Sequence, residues 1–128
     1  MSYAAFDGFR RDARIEQAKI EIEKVKLAKR KAEDGLKIQV QQSQMKMDEA
    51  KKRVAAQQQS LKQAEKAYSI SQTRYKSGIG TQLEIIDTQA ALVFARTNYA
   101  QAIYDYLNAA ADWEYSVSKE LPNFNKDN

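Results

Sequence analysis

Between Tyr75 and Glu84 the chain reads Tyr75-Lys76-Ser77-Gly78-Ile79-Gly80-Thr81-Gln82-Leu83-Glu84, a helix stop followed within a few residues by a helix start. Gly78 can take the left-handed conformation that closes a helix C-terminus, and Arg74 and Lys76 suit the negative end of the helix dipole. Thr81-Gln82-Leu83-Glu84 reads as a capping box, in which a hydroxyl and an acid three residues later satisfy the first free amides of a new helix. A stop and a start so close together make an antiparallel hairpin.

Upstream of this tip, only Gly35 interrupts the helix-forming composition between Asp7 and about residue 76, and one glycine costs a helix about 1 kcal/mol. Asp7 is the expected N-cap. Some seventy residues at 1.5 Å each predict a rod of roughly 105 Å, too long for a globular element and fit for a coiled coil or a helical barrel. One apolar seam runs Ile15, Ala18, Ile22, Val25, Lys29, Ala32, Leu36 in alternating steps of three and four. It resumes at Val40, Ser43, Met47, Ala50, Val54, Gln57, Leu61, Ala64, Tyr68, after a stutter that locally unwinds a supercoil. A second line, Ala13, Ile20, Leu27, lies on the opposite side of the helix, so neighbours are expected on both sides, as in the wall of a barrel. Downstream, a helix is expected from about residue 82 to 119, with Pro122 marking its exit and a polar tail over 120–128. It also carries two lines: Leu83, Ile86, Ala90, Val93, and then Ile85, Leu92, Tyr99, Tyr106, Trp113 at strict sevens, with Ile103, Ala110 and Val117 thickening its far half. The expected fold is all-α, a single long helical hairpin over 1–128 with its tip at 77–81.

Composition removes most chemistry. With no Cys and no His, disulfides, thiol nucleophiles, imidazole bases and the usual zinc sites are excluded, and no carboxylates cluster at ligand-like spacing. No nucleophile–base pair and no phosphate-cradling glycine loop is present either, so no enzyme and no cofactor is expected. The first 66 residues hold 16 Lys/Arg against 10 Asp/Glu, the remainder 5 against 7. The basic half could attract nucleic acid or anionic lipid. Its charges alternate in sign, however, and Glu33–Lys37, Asp48–Lys52 and Glu49–Arg53 sit four apart with the acid first, the pattern of a solvated helix face. No run approaches the roughly 20 apolar residues of a membrane-spanning helix, and no signal peptide is evident. A chain of this kind working in a cell envelope is expected to be a piece of a longer one.

Three stretches carry a family resemblance. Phe6-Asp7-Gly8-Phe9-Arg10-Arg11 resembles the segment at which TolC-like outer-membrane efflux proteins leave their last barrel strand for a long helix. Arg74-Tyr75-Lys76-Ser77-Gly78-Ile79-Gly80-Thr81, continued by Leu83-Glu84-Ile85-Ile86-Asp87-Thr88-Gln89-Ala90-Ala91-Leu92, resembles their periplasmic tip. Arg96-Thr97-Asn98-Tyr99-Ala100-Gln101-Ala102-Ile103-Tyr104-Asp105-Tyr106 resembles their returning helix. Such proteins assemble as trimers, with a β-barrel in the outer membrane and an α-barrel across the periplasm, and each protomer holds two similar halves. The resemblance implies that this chain is most of the second half, a periplasmic segment of an outer-membrane protein whose barrel strands are absent here. It implies passive export with an inner-membrane pump and a periplasmic adaptor. Ser77, Gly78 and Ile79 match the tip segment that contacts adaptor hairpins; Glu84 and Asp87 match acids lining the aperture; Tyr75 matches an aromatic that helps keep it closed.

Each of these residues also has a plainer reading. Gly78 and Gly80 are wanted by the turn whatever binds there, Glu84 by the capping box, and Asp87 by the positive end of a helix. Tyr99, Tyr104, Tyr106, Trp113 and Tyr115 read as packing between helices. The competing functional class is a structural or binding coiled coil on nucleic acid or a membrane surface, which would need an unbroken basic face and strongly salt-dependent binding.

Overall fold

In the computed structural model the backbone is described for residues 3–124 and side-chain exposure for residues 8–119. Two helices make up the described chain, α1 (Tyr3–Lys76) and α2 (Gln82–Phe124), with no strand among the described residues. Both outer ends run further than the sequence suggests. α1 begins at Tyr3, so Asp7 lies inside it rather than capping it, and the side chain of Asp7 is outside the described residues. α2 passes through Pro122 to Phe124, although a proline there removes the bond to the Ser118 carbonyl and crowds it.

The chain divides into two compact units, Met1–Gln39 and Val40–Asn128, and the division falls at the stutter between Leu36 and Val40. The described residues of the first unit all belong to α1. Residues 8–35 are exposed all round, and Ile15, Ile22 and Val25 of one expected line are as open as Ile20 and Leu27 of the other. Glu33 pairs backward with Lys29 at 3.9 Å, rather than forward with Lys37.

The second unit is the hairpin. Three contacts set its antiparallel register: Arg74 Nη2 to Glu84 Oε1 at 4.0 Å, the Ser71 and Thr88 hydroxyls at 2.7 Å, and Arg53 Nη1 to Asp105 Oδ2 at 3.6 Å. In that register Ala64 comes opposite Ala95, Ala50 opposite Ala109 and Ser43 opposite Ser116. The seam of α1 is the one its sequence pattern traces, Ser43 to Tyr68, extended one step to Ser71; all of these positions are buried or half-buried. The seam of α2 is its line of sevens, Ile85, Leu92, Tyr99, Tyr106 and Trp113, alternating with Thr88, Ala95, Ala102, Ala109 and Ser116. The other line is outside the hairpin: Leu83, Ile86 and Val93 are exposed, as are Tyr104 and Tyr115. Those two tyrosines therefore depart from the packing role expected of them.

Layers of large side chains thus alternate with layers of Ala, Ser and Thr, interrupted on α1 by Gln57, a heptad pattern in which the small layers let the helix axes approach closely. The hydroxyls buried in those layers are satisfied locally. Ser43 bonds to the Val40 carbonyl at 2.9 Å, Ser71 to that of Tyr68 at 2.8 Å, and Ser116 to that of Asp112 at 2.8 Å. Among the described residues the buried apolar ones are Ala50, Leu92, Ala95 and Ala102, of which only Leu92 is large, and burying one such side chain stabilises by about 1.5–3 kcal/mol. The core is a narrow seam.

Candidate functional site: the hairpin tip

The tip is built by the last turn of α1. The Ile79 amide donates to the Arg74 carbonyl and the Gly78 amide to the Tyr75 carbonyl, both at 3.0 Å, with Gly78 at φ 77°. That is a Schellman closure with glycine in the left-handed position. The Gly80 amide also reaches the Arg74 carbonyl, at 3.0 Å, folding the chain back over the helix end. The fold-back is so close that a Cβ on Gly80 would stand 2.9 Å from the Tyr75 nitrogen and 3.0 Å from the Arg74 Cβ.

The start of α2 is half of the expected capping box. The Glu84 amide donates to Thr81 Oγ1 at 3.3 Å, so the threonine caps as anticipated. The Glu84 carboxylate, instead of turning back to the Thr81 amide, extends across the tip to within 4.0 Å of Arg74. Both partners are about half exposed, so the pair contributes about 0–1 kcal/mol and mainly aims the two side chains. Nothing in the capping signal foretells this pairing. It follows from the register, which brings the last turn of α1 beside the first turn of α2.

Around this frame the tip presents its side chains outward. Ile79 occupies the place where a Schellman motif often packs an apolar residue back on its helix, yet it is 74% exposed. Ser77 is exposed and returns its hydroxyl to the Thr73 carbonyl at 3.0 Å. Tyr75 is half exposed, and Asp87, three residues after Glu84 and on the same side of α2, is open to solvent. One layer inward, Thr88 joins its hydroxyl to Ser71 and to the Glu84 carbonyl at 2.8 Å, tying the first turn of α2 to α1. Ser71 escapes a search for apolar residues, although it lies one seam step beyond Tyr68.

No group of three or more carboxylates able to hold a metal ion occurs among the described residues. No described helix is long and apolar enough to cross a membrane. What the tip offers is an exposed apolar residue on a rigid turn, flanked by two acids and a tyrosine. A family model described as outer membrane efflux protein matches residues 1–112, which takes in α1, the tip and α2 as far as Asp112. The chain belongs to the outer membrane efflux protein family. No curated protein and no solved structure matches it. Outer membrane efflux proteins are transport channels rather than enzymes, with a periplasmic portion, and generally work as trimers with an adaptor and an inner-membrane pump.

Proposed function

We propose that this chain is a wall segment of the periplasmic duct of an outer-membrane efflux channel. Its tip meets a periplasmic adaptor through Ser77, Gly78 and Ile79, and lines a closable aperture through Tyr75, Glu84 and Asp87. The observation that carries the reading is the exposure of Ile79 on a turn closed by backbone hydrogen bonds from Gly78, Ile79 and Gly80. A turn bearing one open aliphatic side chain suits insertion into an apolar notch of a helical partner. The aperture role rests on Glu84 and Asp87 sharing one side of α2. Repeated around a symmetry axis, such acids would repel one another and attract cations. The exported compounds pass through without reacting. A nucleic-acid or lipid-surface role is disfavoured by the acids that interrupt the basic face, such as Glu49, held by Arg53 at 2.9 Å, and Glu33, paired with Lys29.

Two measurements test the proposal in the assembled channel. Replacing Glu84 and Asp87 with Ala is expected to loosen the closed aperture and raise single-channel conductance; an unchanged conductance removes the aperture role. Ile79→Cys in a chain that has no other cysteine should crosslink to the adaptor, and its failure while the pump remains active removes the docking role.

A further inference from the structure

We infer that the hairpin has a second, minor packing register, one heptad away from the observed one, in which Asp112 takes the place of Asp105 beside Arg53. Apart from Gln57 on α1, the seam alternates large and small layers with period seven on both helices, so sliding α2 along α1 by seven residues, about 10 Å, again sets large on large from Val54 to Tyr68. Ala64 would then face Ala102 in place of Ala95, Leu61 would face Tyr106, and Tyr68 would face Tyr99. From Val54 to Tyr68 apolar packing leaves these two registers equivalent, whereas Met47 would lose Trp113 as its partner.

The polar groups distinguish them. In the observed register Arg53 is held between Glu49 at 2.9 Å on its own helix and Asp105 at 3.6 Å on the other, and Asp105 is itself held by Gln101 at 2.9 Å. Seven residues beyond Asp105 stands Asp112, which the slide would bring to Arg53. The opposite slide would bring Asn98, which carries no charge, so only one direction restores an ion pair. That direction lengthens the connection at the tip. The five residues 77–81 would become about twelve, the Thr81 cap and the Arg74–Glu84 pair would open, and Ser71 would exchange Thr88 for Ala95. These losses make the slid register the minor one. Its consequence is specific, because the turn of α2 that bears Glu84 and Asp87 would leave the helix and join the tip loop. One-turn ratchets of packed helices are a known way of switching between discrete states, and the slide proposed here is two turns.

The test is disulfide trapping in the full chain, which has no native cysteine. Ala64→Cys with Ala95→Cys reports the observed register, and Ala64→Cys with Ala102→Cys reports the slid one. The two sites on α2 are about 10 Å apart along its axis, beyond the range one disulfide geometry tolerates. Intramolecular product is measured by mass in dilute solution, with helicity checked by circular dichroism. The 64–95 pair should oxidise readily and the 64–102 pair slowly. Asp105→Asn should raise the 64–102 rate about threefold, the scale of an exposed ion pair. Adding Asp112→Asn should return it to its starting value. No rise with Asp105→Asn overturns the proposal. So does a rise that persists with both asparagines, which would show general loosening and not a second register.

Discussion

Gly78 and Gly80 stand two residues apart at the tip and are needed for different reasons. At Gly78 the constraint is conformational: φ is 77°, nothing lies within 4 Å of the place a Cβ would take, and an L-residue there costs about 1–2 kcal/mol. At Gly80 the constraint is space, since an added methyl meets the Tyr75 nitrogen at 2.9 Å and the Arg74 backbone carbon at 3.1 Å, neither of which can rotate aside. Gly78→Ala should therefore lower stability by about 1 kcal/mol, and Gly78→Asn by less, because asparagine tolerates the left-handed region. Gly80→Ala should lower it by about 1–3 kcal/mol, with no relief from asparagine. Urea midpoints followed by circular dichroism on the same chain separate the cases. Equal midpoints for Gly80→Ala and the parent would mean that the turn opens in solution. Thr81→Ala, which removes the cap on α2, should cost about 1 kcal/mol in the same assay.

At the scale of the element, α2 shows which parts of a coiled seam can be seen in a sequence. Ile85, Leu92, Tyr99, Tyr106 and Trp113 are legible because large residues at sevens have no other explanation. Ala95 and Ala102, more deeply buried than any of the tyrosines, are not legible, since alanine is placed as readily on a solvated helix face as in a seam. Only the partner helix decides, and here it puts Ala64 opposite Ala95. The same ambiguity hides Ser71 and Thr88, whose burial is made tolerable by bonding to each other and to their own helices. The tip, by contrast, is legible down to its left-handed glycine, because closure depends on a handful of adjacent residues. The outer ends of both helices are less so: a strong helix former simply runs on past Asp7 and Pro122. The small layers make a direct prediction. Ala102 is 2% exposed, so Ala102→Leu should destabilise the hairpin by about 1–3 kcal/mol. Ala100→Leu, one turn-step away on the exposed side, should be close to neutral. Thermal unfolding of the two variants in parallel is sufficient, and equal effects would mean that the small layers are not closely packed.

For the whole molecule the surface decides. A folded 14.6 kDa protein is expected to expose about 6,900 Å², whereas this chain exposes 11128 Å². The excess includes Ile15, Ile22, Val25 and Leu27 on the first unit and Ile86, Val93 and Phe94 on the second, all more than half open to water. Hydrophobic burial is the main force that offsets chain entropy, and so large an open apolar area is characteristic of a surface that another chain covers. Charge favours the chain's own kind as that cover. Residues 40–76 of α1 carry eight Lys/Arg and three Asp/Glu, while α2 carries two Lys/Arg and six Asp/Glu, so α1 of one copy and α2 of another attract. Sedimentation equilibrium should therefore show a mass that rises above 14.6 kDa with concentration and falls as salt screens the attraction. Ile86→Ser with Val93→Ser should weaken the association at least about tenfold, the effect of 1.4 kcal/mol. It should leave the helicity of the hairpin unchanged, because neither residue belongs to the seam. A parent chain that stays at its monomer mass at high protein concentration would contradict the charge argument directly. It would leave the apolar faces to be covered by a different chain.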